Sequence, residues 1–276
     1  MFNLPTTELF LYTLQLADST LLMGQRHSEW TGHGPVLEQD IAITNIALDY
    51  LGQSRNLYQY AASLYNNADE AEKAAMDKYI PRPWKSFNRE LQEDDLAFLR
   101  EEHQFLNVLL TELPRGDWAF TILKEFFYSA FLMNLYQDLL HSNDTQLAAI
   151  AEKSVKEVSY HLRWSSEWVI RLGDGTEESN TRLNNALADI WMFTGELFVA
   201  APYEQVIVQQ GVVKDPQTFK EAWLEKVRTI FQQALLEVPT PSWMQHGGKE
   251  GRHTEHMGYL LAEMQQLQRT YPNATW

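Results

Sequence analysis

Ser154-Val155-Lys156-Glu157-Val158-Ser159-Tyr160-His161-Leu162-Arg163-Trp164 lies inside a helical pattern that opens at the cap Ser142-Asn143-Asp144-Thr145 and stops at Gly173-Asp174-Gly175. Glu157 and His161 are four residues apart, so on a helix they share one face. An acid and an imidazole one turn apart in mid-helix are either half of a metal site or a buried polar pair. The helices that the rest of the chain brings against them decide which.

Outward from that stretch, the chain reads as helix after helix. Leu4 to Trp30 repeats Leu9, Tyr12, Thr13, Leu16, Thr20 and Met23 at helical spacing, and Gly32, Gly34 and Pro35 stop it. Val36 to Tyr65 carries Ile41, Ile46, Leu48, Leu51, Leu57 and Tyr58 on more than one face, as a central bundle helix does. Asn66 to Glu93 is a charged connection with Pro81 and Pro83, expected to hold a short helix over Asp69–Tyr79 and then a loop. Asp94 is expected to cap a helix to about Leu113, and Asp117 to open one that reaches His141. Further helices are expected over Asn180–Tyr203, from Asp215-Pro216 to about Val238, and from His253 to Tyr271 after a Gly- and Pro-rich loop over Pro239–Arg252. No run alternates polar and apolar residues as a strand would. The expectation is all-α: one domain over residues 1–276, a ferritin-like four-helix bundle with additional packed helices, and residues 66–93 as its charged, Pro-containing connection.

Composition narrows the chemistry. The 276 residues, 45% of them apolar, can bury a large core. There is no cysteine, which excludes disulfides and thiolate-bound zinc or iron–sulfur clusters. A formal charge of -15 with Lys and Arg scattered singly speaks against a nucleic-acid partner. The longest apolar stretch, Phe126 to Tyr136, is too short to span a bilayer, and Met1 to Pro5 has no basic leader pattern. No membrane association and a cytoplasmic location are expected.

A carboxylate-bridged di-iron centre needs two lone Glu and two Glu-x-x-His pairs converging from four helices. Asp138 and His141 have that spacing but sit at a fraying helix end, and Glu250 and His253 have it in a glycine loop. Glu29 and His33 are four apart with Gly32 between them. On the expected Asp94–Leu113 helix, Glu101, Glu102 and His103 are neighbours splayed by roughly 100° per residue, so Glu102 and His103 cannot both face inward. Asn45, Asp49 and Gln53 form one stripe, but amides replace iron-binding carboxylates poorly. Asp49, Glu102, Glu157 and His161 are thus the candidates for a degenerate metal site, with the ligand set incomplete. No phosphate-binding glycine motif or nucleophile elbow occurs. Gly247-Gly248-Lys249-Glu250-Gly251-Arg252-His253 has the groups of an anion-binding loop, making Lys249 and Arg252 candidates for the phosphates of a coenzyme. With no strand before it, a tight turn that docks the last helix fits better. Trp164, Trp168, Trp191, Phe193 and Phe198 read as core or interface.

The runs Arg26-His27-Ser28-Glu29-Trp30-Thr31-Gly32-His33-Gly34-Pro35 and Asn45-Ile46-Ala47-Leu48-Asp49-Tyr50-Leu51-Gly52-Gln53-Ser54-Arg55-Asn56, and the pattern Lys156-Glu157 with Tyr160-His161-Leu162-Arg163, resemble the C subunits of bacterial phenylacetyl-CoA epoxidases. So do Arg171-Leu172-Gly173-Asp174-Gly175-Thr176 and, most specifically, Gly247 to His256 followed by Leu261 to Arg269. The likeness covers nearly the whole chain; residues 66–93 are its least familiar part and longer than usual.

The resemblance implies a ferritin-like fold. It implies a place in a complex that epoxidises the aromatic ring of phenylacetyl-CoA with O2 and with electrons from NADPH through a reductase carrying FAD and an iron–sulfur centre. It places the di-iron site in a related catalytic A subunit, beside a small B subunit. It gives chains of the present type the role of a structural partner of A. With it goes the expectation that this chain binds no cofactor and, when isolated, pairs with itself through the surface that binds the catalytic subunit. No catalytic residue is carried over. Two alternatives stay open: an independent di-metal oxidase built on Asp49, Glu102, Glu157 and His161, and a CoA-handling module built on Lys249 and Arg252.

Overall fold

The computed structural model describes residues 4–240 and 243–274. Met1–Asn3, in the stretch read for a leader, and residues 241–242 of the Pro239–Arg252 loop lie outside them. In order, the helices are α1 (Thr6–Ser28), α2 (Leu37–Asn67), α3 (Glu70–Met76), α4 (Glu93–Phe98), α5 (Leu109–Glu112), α6 (Trp118–Leu139), α7 (Thr145–Gly173), α8 (Glu177–Ile190), α9 (Pro202–Gln209), α10 (Lys220–Gln233), α11 (His256–Met264) and α12 (Gln266–Thr270). Among the described residues there is no strand. The fold is all-α and ferritin-like.

Four long helices make the bundle. α1 packs along α2 and α6 along α7, and α2 meets α7 across the bundle. α6 is buried from Ala119 to Leu139 on nearly every side, because it is apolar all round and other helices cover it. Asp117 and Asp144 cap α6 and α7 by accepting from the N–H of Phe120 and Leu147. α8 and α10 lie against the α6–α7 pair, and the buried apolar side chains join in one cluster.

Three expected helices differ. The Asp94–Leu113 helix does not form; only α4 and α5, with a 3-10 turn over Glu102–Gln104, interrupt an extended path. Distant side chains capture its backbone: the N–H of Leu106 donates to Asp18, that of Val108 to the Ser19 hydroxyl, and that of Leu109 to Glu196. These bonds replace the helical ladder. The Asn180–Tyr203 helix starts earlier, at the Thr176 cap, and gives way after Ile190 to 3-10 turns and then α9. The final helix starts later than expected, because His253 and Thr254 are drawn to Glu112, and it divides into α11 and α12 at Gln265, whose amide donates to the carbonyls of Ala97 and Arg100.

Candidate functional site

The centre of the bundle is polar. Glu125, in mid-α6, is fully buried, and burial pushes its carboxyl up to about 7 against the pull of His161, Tyr50 and Lys124. His27 Nε2 on α1 lies 2.6 Å from Glu125 Oε2, and the Tyr50 hydroxyl on α2 donates to Glu125 Oε1 at 2.9 Å. Burial, then the charges of Lys124 and His161, hold the His27 imidazole well below its usual range. The central pair is therefore an acid–imidazole contact in which burial disfavours charge on both groups.

On α7, His161 Nε2 lies 3.0 Å from Asp49 Oδ2, and its Nδ1 is 3.9 Å from Glu125 Oε1. One turn away, Gln53 donates to Glu157 Oε2 at 2.9 Å and accepts from the Tyr136 hydroxyl at 3.0 Å. Burial raises the half-buried Glu157 carboxyl, with Gln53 opposing.

Of the four residues proposed for a degenerate metal site, Asp49, Glu157 and His161 come together. Glu102 does not: it is exposed on its 3-10 turn beside α11, near Gly258. Glu125, His27 and Tyr50 are not among the sequence candidates. A signal for Glu125 existed, since it and Lys124 are the only charges between Ile122 and Tyr136. The apolar stretch singled out in the sequence starts one residue later.

The donor set does not fit a di-iron centre. Three residues beyond Glu125 stands Tyr128, three before His161 stands Val158, and three before His27 stands Gly24, so no Glu-x-x-His pair exists here. Glu125 is the single carboxylate at the centre, and both of its oxygens are engaged. Nδ1 of His27 and of His161 are without hydrogen-bond partners, but they have no second carboxylate to share a cation with. Among the described residues, no group of three His, Asp or Glu side chains could hold a metal ion. His27, Tyr50, Glu125 and His161 are each 0% exposed, so no substrate reaches them in this arrangement.

The glycine loop does bind an anion, but the anion is internal. The N–H groups of Gly247 and Lys249 donate to Glu196 Oε1 at 2.7 and 3.4 Å. Gly247 (φ 126°) and Gly251 (φ 80°) supply left-handed backbone that other residues resist. The Lys249 amine is buried and donates to Glu204 at 2.9 Å and to the Val199 carbonyl at 3.0 Å. Arg252 is exposed, 3.4 Å from Glu250. Of the two cations proposed for phosphate, only Arg252 therefore reaches solvent. His253 Nδ1 lies 2.8 Å from buried Glu112. Burial works against charge on that imidazole, and the bonds to Glu112 and the Phe105 carbonyl outweigh it and raise its pKa.

Comparison with known proteins agrees with this architecture. The model of a family described as phenylacetic acid catabolic protein matches residues 1–276. The Escherichia coli (strain K12) protein named as the C subunit of 1,2-phenylacetyl-CoA epoxidase is 42% identical over 269 residues, covering 98% of this chain and 99% of that one. The chain belongs to the phenylacetic acid catabolic protein family.

Proposed function

We propose that the chain is the non-catalytic structural subunit of a cytoplasmic, multicomponent phenylacetyl-CoA epoxidase, acting as a single domain. One observation carries this: the centre of a metalloenzyme-shaped bundle is filled by a closed network on Glu125. The di-iron site then belongs to the related A subunit, and NADPH, FAD and the iron–sulfur centre to the reductase. The small B subunit is the remaining partner. A bundle of this kind serves by presenting helical faces that a lone catalytic bundle would otherwise leave in water.

The test is metal loading. Purified chain, exposed anaerobically to Fe(II) and desalted, should keep far less than one iron per chain. Retention of about two irons per chain, lost on Glu125→Ala, overturns the proposal and favours an independent di-metal oxidase.

A further inference from the structure

Residues 244–264 lie across the irregular half as a strap. Their backbone sits flush on residues 103–109: a Cβ added to Gly248 would collide with the Asn107 carbonyl, and one added to Gly251 with the His103 carbonyl. Beside this contact the His253 side chain is fully buried. Its two ring nitrogens face two different acceptors. Nδ1 meets the Glu112 carboxylate at 2.8 Å, and Nε2 meets the Phe105 carbonyl at 3.1 Å.

A carbonyl oxygen can only accept, so Nε2 carries a proton. At the other nitrogen, both oxygens of Glu112 already receive donors. The Asn107 amide gives to Oε2 at 2.9 Å, and the N–H of Thr254 gives to Oε1. Three N–H groups around one carboxylate fit its ionised form. The ring then donates from Nδ1 as well, which makes it an imidazolium. A neutral imidazole has one N–H and can serve only one of these two acceptors.

The other ionisable groups on the surrounding elements are engaged elsewhere or lie in water. Glu102 and His103, on the 3-10 turn, are exposed. Arg26 on α1 pairs with Glu29 and donates to the main-chain carbonyl of Glu112, not to its carboxylate. Lys124 on α6 donates to the carbonyls of Leu113 and Pro114. Within the strap, Lys249 pairs with Glu204, Arg252 lies near Glu250, and His256 lies near Glu255. Burial alone would lower the pKa of His253; the bonds to Glu112 and the Phe105 carbonyl, with the charge of Glu102 behind them, raise it overall.

We infer that residues 244–264 are a base-released strap: the His253 imidazolium latches them to Glu112 and to the Phe105 carbonyl, and loss of its proton lets them lift while the bundle stays folded. Without that proton, either the carboxylate or the carbonyl is left in a buried place with one donor fewer. The bundle does not depend on the latch, because α1 packs along α2 and α6 along α7, whereas α11 packs on α5 and the 3-10 turn. Lifting bares the backbone of residues 103–109 and the Glu112 carboxylate. The sign follows from the raised folded value. The latch is complete below the unfolded pKa, about 6.5, and is lost as pH rises through the folded one. Between the two, opening releases one proton, so the opening constant rises about tenfold per pH unit and then levels off.

The experiment uses the full chain, labelled with 15N. Ring-nitrogen NMR should show both nitrogens of His253 protonated at about pH 6.5, where a free imidazole is half neutral, with the second proton leaving at higher pH. Hydrogen exchange, divided by intrinsic rates, should show the amides of residues 247–264 opening about tenfold more per pH unit above that point. The amides of α6 and α7 should not follow. His253→Gln should open the strap already at about pH 6 and remove the slope. Glu112→Gln keeps an acceptor without the charge; it should shorten the pH window, and it is the variant to read if His253→Gln does not fold. His256→Gln, on the same strap but outside the latch, should keep the slope. A His253 ring with a single proton at about pH 6.5 overturns the inference. So does a slope that survives in both His253→Gln and Glu112→Gln, and so does exchange in which strap and bundle open together.

Discussion

At the centre of the bundle, Glu125, His27, Tyr50, Asp49 and His161 interact side chain with side chain. In the irregular half, along residues 99–113 and 244–254, the same residue types pair with one another but also bond extensively to backbone. Asp18, Glu112 and Glu196 accept from the N–H of Leu106, Thr254 and Leu109. Arg100 donates to the carbonyls of Leu96 and Gln104, Arg26 to that of Glu112, and Lys124 to that of Leu113. The difference follows from the backbone. A helix satisfies its own N–H and C=O groups, so polar side chains between helices are free to pair with one another. A buried non-helical segment must borrow partners from elsewhere. Polar groups in the irregular half stand in for missing backbone partners; those at the centre bond mainly to one another.

The largest effect should come from Arg100→Met. The guanidinium is fully buried, pairs with Asp18 and serves two carbonyls. Removing one partner of such a pair costs about 3–5 kcal/mol, readable as a lower urea midpoint. A smaller loss than for any change at the centre would break the contrast between the two regions.

Glu125→Gln should be milder, about 1 kcal/mol at pH 4.5, because the amide keeps an acceptor for Tyr50 and resembles the uncharged acid, and the loss should shrink or reverse toward neutral pH. Its pH dependence sharpens the point. Glu125 titrates at about 7 when folded and about 4.3 when unfolded. A raised folded value gives stability that is complete below the unfolded pKa and is lost as pH rises through the folded one. The unaltered protein should therefore lose ground to the Gln variant between those two values and hold steady above them. Urea titrations at pH 4.5, 6 and 8 measure this, and a constant difference would mean that Glu125 stays charged.

The smallest effect belongs to Glu157→Gln. This carboxylate is half-buried and accepts one bond from Gln53, so the loss should stay below about 1 kcal/mol. Turnover of the assembled complex should not change. Abolished turnover in an intact complex would put the α2–α7 pair in the chemistry.

The sequence showed the self-sufficient elements and hid the borrowed ones. The caps Asp117, Asp144 and Asp215 and the periodicity of the long helices are local signals, and those helices formed within a few residues of expectation. Leu99 to Leu113 is rich in helix formers, yet Asp18, Ser19 and Glu196 unwind it from 87 to 89 residues away in sequence. No window of sequence contains that competition. Both sides of the α2–α7 polar contact were visible, through Asp49 and Gln53 on one helix and Glu157 and His161 on the other. Glu125 was hidden because its meaning lies in three other helices.

The glycine loop has a consequence for how the chain is made. The contacts around Glu125 all involve residues before position 162, so the centre can assemble early in synthesis. Glu196 and Glu112 wait for Gly247 and Thr254, and Arg26 meets the carbonyl of His256 across 230 residues. A nascent chain that stops short of the loop has a finished bundle on one side and unsatisfied buried carboxylates on the other. The stretch that locks the first helix to the irregular half leaves the ribosome long after the bundle does.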